Sequence, residues 1–293
     1  MERTKRNKIP SAILTSDWHL REDTPTCWTG DFQTEQWLAV VHTTNLQEKY
    51  KCPVIHAGDL FHHWKPSPWL LSQTIDLLPK EFYTIYGQHD LPQHNWELRG
   101  KSGIKTLEIA KRLTVLTGCH YGETPSDVSN VRDEIKGIGK NILVWHHLTY
   151  TSAPFPGATG GMAESILRKY WFDLIITGDN HQSFTTEYKG RRLVNPGNIT
   201  RQTADQIDFK PRVALWYAED NSIEWVYLPI KEDVISRAHI EVKEQRDSRI
   251  DAFISQLDGN WKAEMSFEDN LESFKAINKV RDSVMEIVYK AIE

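Results

Sequence analysis

The sequence has few cysteines and no long apolar run. Its three cysteines, Cys27, Cys52 and Cys119, form no Cys-x-x-Cys pair, so we predict free thiols in a reducing compartment. No segment approaches the roughly 20 apolar residues that a membrane-spanning helix needs. The basic stretch 1–8 lacks the apolar core of a signal peptide. These absences argue against a secreted or membrane protein, and we expect a soluble cytoplasmic one.

An excess of positive charge is also missing. The 35 Lys and Arg are outnumbered by 40 Asp and Glu, which argues against a protein that coats nucleic acid by bulk electrostatics. The segment 187–212 is an exception, with more basic than acidic residues. It could guide a phosphodiester backbone, although a solvated hairpin explains its part 189–192 equally well. The basic residues are Lys189, Arg191, Arg192, Arg201, Lys210 and Arg212.

The pattern of predicted elements is that of an α/β protein. At 293 residues, the chain can hold one large domain and an appendage. A strand at 11–16, an amphipathic helix at 32–50 and a strand at 53–55 predict a right-handed crossover and a largely parallel sheet. We place the main domain at 1–230 and a small helical C-terminal appendage at 231–293.

Side chains that bind metals follow five of the predicted strands directly. Each strand end delivers Asp, His or Gln, and a strand that ends in Gly-Asp can turn sharply and leave the carboxylate exposed. We therefore predict a metal site formed by these strand ends. The residues are Asp17 and His19, Asp59, Gln88 to Asp90, His146, and Asp179 with His181.

Three of these strand ends carry further information. Asp17 and His19 leave the same face of an extended segment and can reach one ion, although a structural Asp-His pair is the alternative for them alone. Asp59 is the best candidate for a carboxylate that bridges two ions. His89 is predicted as an acid rather than a ligand, because Asp90 beside it could orient the ring and stabilise an imidazolium.

Other segments are predicted to surround the site or to stand apart from it. His62 lies in a loop where solvated histidines are common, and the Gly/Pro-rich segment 149–161 is expected to be a mobile loop over the site. Beyond residue 230, helices are predicted at 249–257 and from Ser266 onward. The second would carry an apolar stripe that packs on the body or on the first helix, with a partner-docking face as the alternative. Its residues are Leu271, Phe274, Ile277, Val280, Val284, Ile287 and Val288.

The order of the motifs resembles that of the calcineurin-like metallophosphoesterases over about residues 11–230. The family pattern is D-x-H, G-D, G-N-H-D, a strand-end His and G-H-x-H. Two positions depart from it, because Gln88 stands where the family has Asn and Asp179 where it has His. The matching residues are Asp17 and His19, Gly58-Asp59, Gly87 to Asp90, His146, and Gly178 to His181.

This resemblance implies a four-layer α/β/β/α sandwich with a two-metal site. The cofactors would be two divalent ions, Mn²⁺ in the first place and Mg²⁺ as the alternative. His89, with Asp90 beside it, would protonate or stabilise the leaving oxygen. The implied ligands are Asp17, His19 and His181 for the first ion, Gln88, His146 and Asp179 for the second, and Asp59 between them.

Within that family, the turn 195–197 followed by Arg201 is similar to the SbcD-type DNA exonuclease subunits of bacteria and phages. The resemblance implies a nuclease of DNA repair, recombination or phage DNA processing, acting in the cytoplasm. Its candidate partners are DNA, an SbcC-type ATPase subunit and a second copy of the chain, and Arg201 and His94 would bind substrate. The alternatives are a phosphodiesterase or phosphatase for nucleotides or phosphoproteins, and an inactive scaffold.

Overall fold

The chain divides into two compact units, Met1–Ser236 and Arg237–Glu293. Residues 231–236 lie with the first unit, because Ile235 forms a β-bridge with Trp28 and the Ser236 N–H donates to the Cys27 carbonyl at 2.7 Å. The computed structural model describes residues 8–153, 157–238, 240–242, 246–250 and 267–292.

A six-stranded sheet contains the first predicted strands. Its strands are β1 (Ala12–Thr15), β2 (Val54–His56), β3 (Phe82–Thr84), β4 (Thr114–Val115), β11 (Arg212–Tyr217) and β12 (Ser222–Tyr227). They are ordered β12-β11-β1-β2-β3-β4, with β1 to β4 parallel and β11 antiparallel to both of its neighbours. The predicted parallel centre of the sheet is therefore confirmed.

A second sheet has four strands in the order β5-β8-β10-β9. These are β5 (Ile142–Trp145), β8 (Leu174–Thr177), β9 (Phe184–Tyr188) and β10 (Arg191–Asn195), and only β9 is antiparallel to its neighbour. Between β5 and β8, β6 (Thr149–Tyr150) pairs in parallel with β7 (Gly161–Met162). The expectation of a loop over 149–161 is wrong at both ends, because Thr149–Tyr150 and Gly161–Met162 are paired strands and both residues of β6 are buried. Residues 154–156 lie outside the described ranges.

Four helices of the first unit pack on these sheets. They are α1 (Phe32–Tyr50), α2 (Pro68–Leu77), α3 (Gly103–Ile109) and α4 (Ala163–Lys169). Polar side chains cap the first three, because Asp31, Ser67 and Ser102 each accept a backbone N–H three residues ahead. Lys51, with φ of 54°, ends α1 in the left-handed conformation.

The alternation of side chains along the strands produces three apolar layers. Ile13 of β1 and Val54 of β2 pack toward α1, α2 and α3, whereas Leu14 and Ile55 pack toward the second sheet. A third cluster joins the outer face of the second sheet, including Leu143, to α4. These layers give the predicted α/β/β/α sandwich, with the candidate ligands at the ends of inner strands.

The second unit is helical where it is described. Residues 238, 240–242 and 246–250 have helical backbone, and two further helices have defined bounds, α5 (Phe267–Asn278) and α6 (Asp282–Ile292). The single long helix expected after Ser266 is therefore wrong, because Lys279 has a φ of 52° and interrupts it. The stripe does not form one buried face either: Leu271 and Phe274 are buried, but Ile277 and Ile287 are exposed. Most of the helix predicted at 249–257 lies outside the described residues.

Two general predictions can be compared with the structure. Cys27, Cys52 and Cys119 are all buried free thiols, as expected. None of the helices in the described ranges has the length and apolar character of a membrane span.

Candidate metal centre

The candidate ligands of the first set meet at the ends of β1 and β8. His19 and His181 face each other with their Nε2 atoms 3.2 Å apart, and Asp17 completes a group whose ligand atoms all lie within 4.8 Å of one another. Two nitrogens that each lie about 2.1 Å from one ion are roughly 3–3.4 Å apart. The spacing of the two imidazoles therefore suits a shared cation.

Asp59 lies between this set and His146. Its Oδ2 is 3.7 Å from His19 Nε2 and 3.5 Å from His146 Nε2, while its Oδ1 accepts the His89 N–H at 2.8 Å. Asp17, Asp59 and His146 form a second group with converging ligand atoms. Asp17 thus belongs to both groups, which the sequence analysis did not anticipate, and Asp59 stands where a bridging carboxylate would.

Strong electrostatic coupling accompanies this arrangement. Burial alone would lower the pKa of His146, but Asp59 and Asp17 outweigh it and raise the pKa to about 10. Burial would likewise raise the pKa of Asp59, yet His146 and His19 hold it well below its usual range. Burial raises the pKa of Asp17 to about 8. Burial thus disfavours a second ionised carboxylate beside Asp59, and a bound cation would stabilise the ionised form of Asp17.

The remaining candidates of the second set bond to one another. Gln88 accepts from His146 Nε2 at 2.5 Å and donates its amide to Asp179 Oδ1 at 2.6 Å. The Asp179 backbone N–H donates to Asp17 Oδ1 at 2.9 Å, which links the two sets. Gln88 and Asp179 are therefore close to the centre. Three groups of three potential ligands converge within the described residues, the third being His19, His62 and His89, and Asp179 is in none of them.

His89 has a defined ring orientation next to the first set. Its Nδ1 lies 2.9 Å from the His62 carbonyl, so Nδ1 carries a hydrogen and Nε2 is left to exchange a proton. The ring stacks on the His62 ring at 5.5 Å and meets the His19 ring edge-on at 4.8 Å. His62 is thus part of the site, which its position in a loop had not indicated.

Asp90 does not orient His89, contrary to the sequence-based expectation. Its two oxygens accept the backbone N–H groups of Gly87, Asp59, Leu60 and Phe61 at 2.8–3.3 Å. The ring of His89 is oriented instead by the His62 carbonyl. Asp90 therefore holds the loops that carry Asp59 and Gln88 together, which is a positioning role and not a catalytic one.

Arg201 makes its contacts within the protein. It is 3% exposed, lies 3.6 Å from Glu35 and donates to the carbonyls of Lys231 and Ile207. Removing Arg201 would leave the buried Glu35 carboxylate without this charge partner. These contacts favour a structural role for Arg201, and its role in substrate binding stays a prediction.

The basic hairpin at 189–192 is engaged locally. Arg192 pairs with Glu187 at 2.6 Å, and the Arg191 guanidinium lies 4.7 Å from the Trp171 ring. These contacts favour the interpretation of 189–192 as an ordinary surface hairpin.

His94 stands at the rim of the centre. It is exposed, and its ring meets that of Tyr121 edge-on at 5.9 Å, while Tyr121 lies 6.4 Å from the His146 ring. Its role in substrate binding stays a prediction. Tyr121 was missed by sequence reasoning, because a single tyrosine in a polar stretch carries no pattern.

Unusual backbone conformations hold several candidate ligands in place. Asp17, His19, Asp59 and Asp179 all have φ between 45° and 72°, a region that non-glycine residues rarely adopt. Gly87 is required beside them, because a Cβ atom there would lie 2.1 Å from Asp59 Oδ1. Backbone strain of this kind concentrates at functional sites.

The donor set fits divalent cations. Asp17 Oδ2 and Asp59 Oδ2 are buried and have no hydrogen-bond partner within the described ranges. His146 donates its Nδ1–H to the Ala57 carbonyl at 2.7 Å, which is how metal-binding histidines usually fix the other nitrogen as the ligand atom. Carboxylates and imidazoles together suit Mn²⁺ and similar ions.

A comparison with known protein families identifies the family of the chain. The sequence model of the family described as calcineurin-like phosphoesterase matches residues 11–183, which include every candidate ligand. No curated protein matches the chain. A solved archaeal phosphodiesterase is similar at 15% identity over 74% of this chain and 99% of its own, with a TM-score of 0.43. A single mutant of Vps29 from Entamoeba histolytica is similar at 15% identity over 75% of this chain and 99% of its own, with a TM-score of 0.38.

Proposed function

Because the chain belongs to the calcineurin-like phosphoesterase family, we propose that it is a metal-dependent nuclease that hydrolyses phosphodiester bonds in DNA. The observation that carries the hydrolytic part is the convergence of ligand atoms around Asp17, Asp59 and His19, where Oδ2 of both carboxylates is buried and has no hydrogen-bond partner within the described ranges. The choice of DNA rests on the similarity of the segment 195–201 to SbcD-type exonuclease subunits.

The segment 195–201 contacts the loop that carries His181. Gly197 has a φ of 74°, and a Cβ atom there would lie 2.7 Å from the His181 carbonyl. Asn195 donates to the carbonyls of Asn180 and Gln182, and Thr177 donates to its amide oxygen at 3.1 Å. The turn therefore fixes the loop that delivers His181, which explains why a ligand loop and this motif occur together.

In the proposed reaction, each group of the chain has a separate task. Asp17, His19 and His181 would hold one cation, and His146, Asp179 and Gln88 the other, with Asp59 between them. Bound divalent ions would neutralise phosphate charge and activate water. His89, fixed through Nδ1, would deliver a proton from Nε2 to the leaving oxygen. Mn²⁺ is the proposed cofactor, because oxygen donors predominate.

A panel of three substrates tests the proposal. Purified protein with Mn²⁺ should degrade linear DNA and hydrolyse bis-nitrophenyl phosphate, but leave nitrophenyl phosphate nearly untouched. EDTA and the variant Asp59→Asn serve as negative controls. Monoester hydrolysis without DNA cleavage would instead indicate a phosphatase. A protein that binds Mn²⁺ and hydrolyses none of the three would be a scaffold, and the proposed nuclease would be refuted.

A further inference from the structure

A cavity of about 380 Å³ begins at the residues that follow the candidate ligand His181. Its wall includes Gln182 and Ser183. These two residues are the next ones along the chain, so their Cα atoms lie one and two steps of about 3.8 Å from that of His181. The lining of the cavity therefore starts on the loop that delivers a candidate ligand.

The opposite wall presents aromatic and cationic side chains. Tyr227 and Phe209 line the cavity, and the Tyr227 ring is 57% exposed although it is large and apolar. Arg212, paired in register with Tyr227, lies 4.1 Å from the Trp225 ring and donates to the Ser183 carbonyl at 2.8 Å. The Arg212 guanidinium also lies 5.8 Å from the Tyr227 ring, so this arginine links Tyr227 to the loop that follows the metal ligand.

The charges of the cavity balance. Lys210 and Arg212 contribute two positive charges, and Asp205 with Asp208 two negative ones. A site for a bare phosphate would carry an excess of positive charge. The exposed Tyr227 ring, the half-buried Phe209 ring, the exposed Lys210 and carboxylates that can accept N–H groups suit a heterocycle attached to a phosphate.

We propose that this cavity binds an unpaired nucleobase of the strand whose phosphodiester lies at the metal centre. The base stacks on Tyr227 and Phe209, Lys210 contacts an adjacent phosphate, and Asp205 or Asp208 accepts from the base. This inference rests on the proposed nuclease function and adds its substrate class: single-stranded or frayed DNA. Stacking of bases on aromatic side chains is tolerant of sequence.

The test measures binding without cleavage. The affinity of a fluorescein-labelled single-stranded oligonucleotide is determined by anisotropy in EDTA for the parent and for Tyr227→Leu. The variant should bind about tenfold or more weakly, the usual effect of losing one stacked base. For the parent, an oligonucleotide with abasic positions should bind more weakly than the intact one by a similar factor. For Tyr227→Leu, the two oligonucleotides should bind with nearly the same affinity. Lys210→Gln should reduce the slope of affinity against salt by about one.

A matched control is Trp171→Leu. Trp171 is also exposed and lies under an arginine, but it precedes β8 and so stands at the end of the strand opposite to Asp179. This variant should bind like the parent. Equal affinities of Tyr227→Leu and the parent, or an equal loss in the control, would refute the assignment.

Two further outcomes distinguish binding of a strand from binding of a free nucleotide, and the cavity assignment from the proposed nuclease function. A mononucleotide that binds more tightly than the oligonucleotide would indicate a free nucleotide as the ligand and overturn the assignment to a strand. Hydrolysis of bis-nitrophenyl phosphate is measured in parallel for the parent and for the control Trp171→Leu, in which it should be unchanged. If the parent lacks that hydrolysis but shows the Tyr227-dependent binding, the proposed function fails while the cavity assignment stands.

Discussion

The two halves of the candidate metal centre are built differently. In the first half, the Nε2 atoms of His19 and His181 are 3.2 Å apart, and Asp17 Oδ2 has no partner within the described residues. In the second half, Gln88 joins His146 to Asp179 by hydrogen bonds of 2.5 and 2.6 Å. A cation completes the first half, whereas in the second it must replace contacts that already satisfy the side chains.

The difference coincides with the two departures from the family pattern. The glutamine at 88 is one methylene longer than asparagine and reaches both His146 and Asp179. A carboxylate at 179 accepts the amide hydrogen of Gln88. We therefore expect the first ion to bind more tightly than the second, and occupancy of the second half to set activity at low metal concentration.

The largest expected effect is the loss of the charge shared by both halves. Asp59→Asn keeps the shape but removes the carboxylate that lies 3.7 Å from His19 and 3.5 Å from His146. Both ions should bind more weakly, and hydrolysis of bis-nitrophenyl phosphate should be abolished. Titration calorimetry with Mn²⁺ and the diester assay check this. If both Mn²⁺-binding steps of Asp59→Asn matched those of the parent, Asp59 would not be a ligand shared by two ions.

His89→Ala should separate chemistry from metal binding in both halves. We expect diester hydrolysis to slow by about 10²–10⁴-fold, the usual contribution of a general acid or base. Mn²⁺ binding should persist, because the His89 side chain bonds to the His62 carbonyl and not to the carboxylates. His63→Ala is the matched control, since His63 is exposed and directly follows His62, whose carbonyl holds the His89 ring. A His89→Ala protein that loses metal as Asp59→Asn does would contradict the assigned role.

Local patterns predicted much of the fold and the centre. The helix Phe32–Tyr50 was predicted with its observed ends, because an apolar periodicity begins after Asp31 and stops before Pro53. The strand ends that deliver Asp17, Asp59, His146 and His181 could also be found, since an apolar run followed by Asp or His is a local signal.

The roles of Asp90 and Arg201 could not be predicted, because their partners are distant in sequence. Arg201 pairs with Glu35, and Asp90 accepts hydrogen bonds from backbone N–H groups of the loop that begins at Asp59. Only the folded chain shows that both are buried. The left-handed residue Lys279 that divides the C-terminal helices also lacked a signal, since lysine is an ordinary helix former.

A smaller effect should appear when only the second half is changed. Asp179→Asn keeps an amide oxygen that can accept from Gln88 but removes the negative charge. If Asp179 binds the second ion, the affinity for that ion should fall by about 10–100-fold, the scale seen when supporting groups of metal sites are lost. The first ion should bind as before. An unchanged second binding step would mean that Asp179 serves only to hold Gln88.

The smallest expected effect concerns the support of the loop that carries Gln88. His120 is buried, stacks on Trp96 at 4.3 Å, and accepts the Tyr86 N–H through Nδ1 at 3.1 Å. Tyr86 directly precedes Gly87 and Gln88. The charged groups nearby are Arg99 and Glu123, whose carboxylate accepts the His120 backbone N–H at 2.8 Å. The first half has no comparable histidine, because the N–H groups of Asp17 and His19 bond to backbone carbonyls.

This support should weaken in mild acid. Burial, with a smaller contribution from Arg99, lowers the pKa of His120 from 6.5 to about 4. The neutral ring therefore stabilises the folded state fully at pH values above 6.5, the pKa of the histidine in the unfolded chain. This contribution is lost as the pH falls toward about 4, the pKa of His120 in the folded protein. The expected loss between pH 7 and pH 5.5 is about 1 kcal/mol of the free energy of unfolding. His120→Asn, whose amide oxygen can accept the same N–H, should lack this part of the pH dependence. Urea unfolding of both metal-free proteins at the two pH values measures the difference, and identical pH dependences would show that the ring is not held neutral by the fold.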